Sequence, residues 1–481
     1  LTSTVAGSQA AASVRFRPAN DVPFHGGIHI TLPVSFELDD PSLKTSWKLC
    51  GVVGAANITL QNIHIDKNFE NILIDKNLAT GRWQVLMMLS EGQMLSKYSL
   101  VEFTIPGVVV RPYSGLSGAF AIRTVTGALN VIDHALKGTE TLIIPGRLAA
   151  VSVMVLSAEA GAVSSVQISF TNVNPIPADG KIFVTFPSKF DLLNPVSNGY
   201  QEGIAGMVAV ASYAPSDGGR CPVGSMAQFG CNVTLQVEGD KTPSHSSVSF
   251  GITNVGMMQL AGFAGTYVVQ TRTVDGFIID EATVADGSVG PSKLGFAKVA
   301  SLGVLRASSN ATLKVSFTTA NPVANGSFVH VVFSPLFNLS DTCYSDGVCG
   351  QLEVSGSRVS LHDVMLDRVL ILVNQDCPAE FDLEFLVAGI KAPAVGGFTG
   401  TYQIKTVSAG GVDIDVDMDV EQIIAAPAVM QAHVVMDSTA AGAITRVHVR
   451  INVTSPIPAE DAIIELEVPS DASVTIGAAV T

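Results

Sequence analysis

Charge is scarce in this sequence. Only 14% of its 481 residues are Asp, Glu, Lys or Arg, against about 25% in an ordinary globular domain. What charge there is runs acidic: 27 Lys and Arg stand against 42 Asp and Glu, a net −15. That balance gives no basic footprint for nucleic acid, and no basic cluster flanks an apolar segment. Long apolar runs are also missing, although 47% of the residues are hydrophobic and mean hydropathy is +0.40. No window holds the roughly 18 uninterrupted apolar residues of a membrane-crossing helix. The greasiest stretch, "LAAVSVMVLSAEAGAV" from Leu148, is broken by Ser152, Ser157 and Glu159, and it alternates as a strand does. The apolar excess is therefore expected to meet other chains, or to lie beneath a glycan coat. Leu1 opens the sequence with neither a Met nor a secretory apolar segment, so the chain reads as processed or partial.

Catalytic motifs are absent as well. There is no Gly-x-Ser-x-Gly, His-Glu-x-x-His, phosphate loop or Cys-x-x-Cys, and no enzyme is expected. The nine histidines are scattered. His25 and His29, in "HGGIH", are expected on one strand face, too far apart to chelate alone. The two tryptophans, Trp47 and Trp83, give no obvious sugar-stacking platform.

Six cysteines are present. Cys221 and Cys231 bracket one loop and are expected to pair. Cys343 and Cys349 bracket "YSDGV", with Cys377 a competitor for either. Cys50 has no candidate within its own part of the chain, and no cysteine has zinc-ligand spacing.

What the sequence does have is repetition. "TNVNPIPADGKIFVTFP" from Thr171 returns as "TTANPVANGSFVHVVFSP" from Thr318 and "NVTSPIPAEDAIIELEVP" from Asn452, with a worn copy, "PANDVPFHGGIHITLPVSF", from Pro18. No polar residue is read as recurring in the same place from copy to copy, which points to scaffold rather than site. A closing motif follows: "GLSGAFAIRTV" from Gly115, "GFAGTYVVQTRTV" from Gly262 and "GFTGTYQIKTV" from Gly397. In it Gly118, Gly265 and Gly400 precede Phe120, Tyr267 and Tyr402, a tight turn followed by an aromatic core anchor. Phe103, Phe250 and Phe385 hold matching places in between. The period of roughly 135 to 155 residues suits whole domains strung together.

The local chemistry is β throughout: "SVQISF", "KIFVTF" and "AIIELEV" alternate and are rich in Val, Ile and Phe. The best helical periodicity, "RWQVLMMLSEGQMLSKY" from Arg82, is confined to the first repeat. The expected fold is all-β, a tandem of Ig-like antiparallel β-sandwiches. The expected boundaries are 1–140, 145–288, 291–425 and 427–481. The first repeat lacks its opening strand and the fourth is incomplete, which fits a window on a longer tandem chain. The open edge of the first repeat could also take a strand from a second copy.

Asp413, Asp415, Asp417 and Asp419 alternate in "VDIDVDMDVE". In a regular strand their carboxylates share one face, about 7 Å apart, a weak Ca²⁺ candidate beside a solvated strand face as the plainer expectation. Sequons occur at Asn57, Asn232, Asn310, Asn325, Asn338 and Asn452, twice the roughly three expected by chance. With local cysteine pairs, they point to an extracellular chain.

The pairing of "NPIPADGKIFVTFP" with "GFTGTYQIKTVSAGGVDID" resembles the tandem repeats of very large extracellular proteins of algae and other protists, cell-surface or mastigoneme-like in character. That resemblance implies a structural role and carries over no catalytic residue. The expectation is a secreted, glycosylated subunit of a filament or surface coat that packs against copies of itself. An adhesin stalk with a ligand-binding first repeat is the alternative. A filament should show apolar faces on every repeat; an adhesin should show a cluster on one.

Overall fold

A computed structural model describes residues 1–39, 52–54, 69–202 (without 90, 136, 137, 139 and 188), 207–208, 232–237, 240–337 (without 286), 339, 352–453 (without 441) and 463–467. Every regular element among them is a strand. Two compact units emerge: Leu1–Met258 with Gly262–Val289, and Gln259–Ala261 with Gly290–Thr481.

The second repeat, in the first unit, shows how the alternating sequence folds. Val163–Thr171 pairs with Ala149–Val155 on one edge and Ser247–Gly256 on the other, all antiparallel. Asp191–Glu202 completes that sheet. The facing sheet runs Gly146–Arg147, Ile278–Ala285, Thr266–Arg272, Lys181–Thr185, Asn232–Val237, Met207–Val208. Inward residues at every second position, such as Val166, Ile168 and Phe170 against Ile182, Val184 and Leu235, form one buried core. The chain switches sheets at its start: Gly146–Arg147 runs parallel to Ile278–Ala285, and the next strand joins the opposite sheet.

The third repeat, in the second unit, has the same design. Gly295–Ser301, Asn310–Thr318, Asp382–Lys391 and Glu353–Ser355 make one sheet. Ser292–Lys293, Asp413–Val420, Tyr402–Val407, Phe328–Val332, Arg368–Val373 and Val359–Val364 make the other. Phe250 and Phe385, matched in the sequence, are both buried. They meet Phe170 and Phe317 edge-to-face, with centroids 6.4 and 6.5 Å apart.

The closing motif folds as its composition suggests. Gly265 and Gly400 have φ of +132° and +77°, and a Cβ on either would lie 2.8 Å from Pro187 or 2.7 Å from Ser334. Only glycine permits both the turn and the approach. The tyrosine two residues on is fully buried in each case. Tyr267 packs on Phe186 and Phe190, and Tyr402 on Phe333 and Phe337. In the first repeat Phe120 is half-buried against Phe36.

The first repeat has its own core around Ile28, Ile30, Val85 and Phe103. Here the helical reading from Arg82 fails. Arg82–Leu89 is a strand, paired with Gly27–Thr31 on one side and Phe69–Asn77 on the other. Val85, Met87 and Leu89 point to the core at a period of two, so pairing on both edges overrides the helical spacing. His25 also departs from expectation. It lies in a turn with φ +61°, ahead of the strand that carries His29, so the two do not share a strand face.

Beyond Pro427 the described residues form one antiparallel hairpin, Gln431–Met436 with Val447–Asn452. Its first strand is exposed at every residue.

Candidate association surface

Each of the three repeats closes its two ends on one polar pair. In the second repeat, Asp280 accepts from the backbone N–H of Val173 and Asn174 at 3.0 and 2.9 Å and from Asn174 Nδ2 at 2.6 Å. In the third, Asp415 accepts from the N–H of Ala320 and Asn321 at 3.1 and 3.2 Å and from Asn321 Nδ2 at 2.8 Å. In the first, Asp133 takes Asn20 N–H at 3.3 Å and Asn20 Nδ2 at 2.7 Å. A threonine one strand over completes each latch: Thr124, Thr271 and Thr406 accept from the backbone N–H of the aspartate at 3.0, 3.1 and 3.0 Å. The impression that no polar residue recurs in the repeated segment is therefore wrong. The asparagine recurs, and its partner lies at the far end of the repeat.

This latch replaces the regular acidic face expected of 413–419. Asp415 is fully buried. A register break between Thr406 and Val407 turns both Ile414 and Asp415 inward. Asp413 pairs with Lys405 Nζ at 3.1 Å, and Asp419 is exposed. The four carboxylates thus do not line one solvated face. Among the described residues no group of three or more His, Cys, Asp or Glu side chains is placed to hold a metal. Burial pushes the Asp280 and Asp415 carboxyls above the ordinary carboxylate range, against the hydrogen bonds they accept.

Asn174 also reaches out of its own repeat. Its Nδ2 donates to Ala6 O of the first repeat at 3.1 Å. Ala6 and Gly7 sit in a turn closed by Ser8 N–H to Val5 O at 3.1 Å, with Gly7 at φ +70°. A Cβ on Gly7 would fall 1.6 Å from Asn174 Oδ1, so this contact admits only glycine. Beside it, Ser114 N–H donates to Ile278 O at 2.7 Å, and Tyr113 packs on Phe277 at 5.7 Å. Arg111 braces that segment by donating to the carbonyls of Tyr113 and Ser114.

A second repeated feature faces outward. Each repeat ends in a short two-stranded sheet: Gly115–Leu116 with Leu142–Ile143, Gly262–Phe263 with Ser288–Val289, and Gly397–Phe398 with Ile424–Ala425. Ile143, Val289 and Ala425 turn into the cores. By strand alternation their neighbours turn out: Leu116 is 61% exposed, Phe263 58% and Phe398 66%. Leu142 and Ile424, directly across from Leu116 and Phe398, are exposed too. A cleft of about 380 Å³ opens beside Ile424, lined also by Lys298, Val304 and Glu421.

The remaining sequence-predicted residues are dispersed. Asn310, Asn325 and Asn452 are exposed. Asn232 is half-buried, and its Oδ1 accepts from Thr185 Oγ1 at 2.8 Å. Asn57, Asn338, Cys50, Cys221, Cys231, Cys343, Cys349 and Trp47 lie outside the described residues. Cys377 is a free thiol in the core of the third repeat, and burial raises its pKa. Trp83 donates its indole N–H to Glu37, which Lys76 also engages. Its polar edge is thus already in use within the first repeat.

No protein-family model matches this chain, and no curated protein does. Among solved structures, red sea bream transglutaminase is similar at 11% identity and a TM-score of 0.23, over 59% of this chain and 32% of that one. The C-terminal domain of the Streptococcus agalactiae antigen I/II polypeptide BspA is similar at 10% identity and 0.21, over 59% and 96%. That of the Streptococcus pyogenes antigen I/II-family protein AspA stands at 8% and 0.20, over 63% and 97%. The match spans about a third of the transglutaminase. At such scores none of these likenesses carries an argument about function.

Proposed function

We propose that this chain is a non-enzymatic structural subunit of a glycosylated extracellular filament or surface coat, and that copies pack side by side through the terminal two-stranded sheets. The observation that supports this reading is the outward apolar residue at one register of every repeat: Leu116, Phe263 and Phe398. A single exposed apolar residue needs no explanation. The same outward position held by Leu or Phe in all three copies of the closing motif does. Burying each such side chain contributes about 1.5–3 kcal/mol. Because the repeats are covalently tethered, modest contacts accumulate along the chain instead of each bearing the full cost of association. The exposed asparagines Asn310, Asn325 and Asn452 lie outside the terminal two-stranded sheets and are free to carry sugar. The resemblance to algal and protist surface repeats implies the same role.

Negative-stain microscopy of natively purified protein tests this. Wild-type chains should form filaments or sheets, and the Leu116→Ser, Phe263→Ser, Phe398→Ser triple variant should disperse with its fold intact by circular dichroism. Dispersed wild-type chains would remove the filament and favour the adhesin stalk.

A further inference from the structure

The greasiest stretch of the sequence forms an edge. Ala149–Val155 is the outermost strand of its sheet in the second repeat, paired with Val163–Thr171 on one side and with no described strand on the other. Val151, Val153 and Val155 pack against the core. Ser152, Met154 and Leu156 face out, with Met154 50% and Leu156 64% exposed. The ladder fixes where the backbone groups point. Leu156 N–H donates inward to Ser165 O at 3.0 Å, and Met154 and Ser152 lie opposite Gln167 and Ser169. In an antiparallel pair alternate residues bond the partner strand, so Val153 and Val155 turn their N–H and C=O groups to the open side.

Such an edge invites another strand, and proteins guard against that with charge, proline or a short strand. From Leu148 to Ser157 there is no Asp, Glu, Lys, Arg, His, Pro or Gly. Every other edge strand of five or more described residues carries a charged residue or a histidine. The contrast is sharpest in the third repeat. There Gly295–Ser301 holds the equivalent edge, with Leu302 N–H donating to Thr312 O as Leu156 does to Ser165. Counted from that bond, exposed Lys298 stands where the second repeat has Ser152. The third repeat is guarded at this position and the second is not.

The structure assigns this edge to a second copy of the chain: two Ala149–Val155 strands pair antiparallel about a two-fold axis through Met154. Val153 of each copy then exchanges both backbone hydrogen bonds with Val155 of the other. The two Met154 side chains meet at the axis as a non-hydrogen-bonded pair, the closer of the two kinds. Leu156 of each copy lies diagonal to the opposite Met154, so the outward residues of both strands join in one apolar row. Self-pairing of a strand with charge of one sign sets like charges across the axis, and this neutral stretch meets its copy without that cost. The contact is isologous and closes as a dimer. It is separate from the terminal two-stranded sheets and does not rest on them.

The test uses the 481-residue chain carrying Leu116→Ser, Phe263→Ser and Phe398→Ser, so that contact through the terminal sheets is removed. Sedimentation over a concentration series should show this chain in equilibrium between monomer and dimer. Adding Met154→Lys should weaken the dimer about tenfold or more, whereas Met154→Leu should leave it. Met154 is outward, so circular dichroism should find both variants folded. Register is read by cross-linking. Met154→Cys should link to its own counterpart on mild oxidation, because opposed Cβ atoms lie about 4.5–5.5 Å apart. Ser152→Cys, about 13 Å from its counterpart in this register, should not. Peptide mapping separates that link from those of the native cysteines. A triple-serine chain that stays monomeric, a dimer unmoved by Met154→Lys, or equal linking at 152 and 154 overturns the edge pairing. Wild-type filaments beside a monomeric triple-serine chain would leave the side-by-side reading standing. Wild-type chains that stop at a dimer sensitive to Met154→Lys would remove that reading and keep the edge pairing.

Discussion

Asn174 and Asp280, 106 residues apart in the chain, are joined side chain to side chain at 2.6 Å. The same asparagine nitrogen reaches Ala6 O in the preceding repeat. One side chain therefore fastens the two ends of its own repeat and ties that repeat to its neighbour. Asn321 in the third repeat divides its amide between Asp415 Oδ1 and Ser292 Oγ, at 2.8 and 3.1 Å.

Gly7→Ala should unfasten the joint between the first two repeats. The new Cβ collides with Asn174 Oδ1, and alanine at φ +70° adds about 1–2 kcal/mol of backbone strain. With the bond to Ala6 lost, about 2–3 kcal/mol in total is expected. Urea unfolding at low protein concentration reads it. Gly442→Ala, at a similar φ of +75° and with no described atom within 4 Å of the new Cβ, should lose only the backbone part. Equal effects at the two glycines would refute the close contact.

Asp415→Asn should destabilise the third repeat by about 1–3 kcal/mol at neutral pH, because three donors then share one good acceptor. Its pH dependence has a definite sign. Burial raises the folded carboxyl pKa above the unfolded value, so the folded state holds the proton to higher pH. This group's contribution is therefore greatest below the ordinary carboxylate range and falls as pH rises through the raised value. The stability gap between wild type and Asp415→Asn should narrow over that window. A gap that widens with pH would contradict the burial described for Asp415.

Much of the fold was legible because burial here follows simple alternation. Val166, Ile168 and Phe170 announce a strand, and glycine followed by a buried tyrosine announces the closing turn. Arg82–Leu89 misled because its Met and Leu run fits a period of 3.6 as well as 2, and only the strands on both sides decide. The latch was harder to see. Its partners lie 113, 106 and 94 residues apart. In the first repeat Asn20 also precedes Asp21, not proline. Around Asp415 three further aspartates disguise the one that matters. Sequence spacing cannot tell a buried carboxylate from its solvated neighbours when a register break turns just one of them inward.

Tyr402 supplies a packing test. It is fully buried, and its hydroxyl donates to Thr399 Oγ1 at 3.2 Å; burial pushes its pKa up to about 12. Tyr402→Phe should lose about 1 kcal/mol for the hydrogen bond, and Tyr402→Ala about 3–5 kcal/mol for the cavity. Thermal unfolding should preserve that order. A neutral alanine variant would mean the three-ring cluster with Phe333 and Phe337 is not a core.

Sugar should be found on Asn325, which is exposed in a turn, and on Asn310 and Asn452, exposed on strands. Asn232 should carry less, since its amide oxygen is engaged by Thr185. Glycopeptide mapping of native material checks the ranking. Full occupancy at Asn232 with none at Asn325 would reverse it.

Sedimentation velocity of natively purified protein at micromolar concentration tests the central claim most directly. Self-assembly through the outward Leu116, Phe263 and Phe398 predicts a broad, fast-sedimenting distribution that moves upward with concentration. A single slow boundary that stays at the mass of one chain across the series would contradict it.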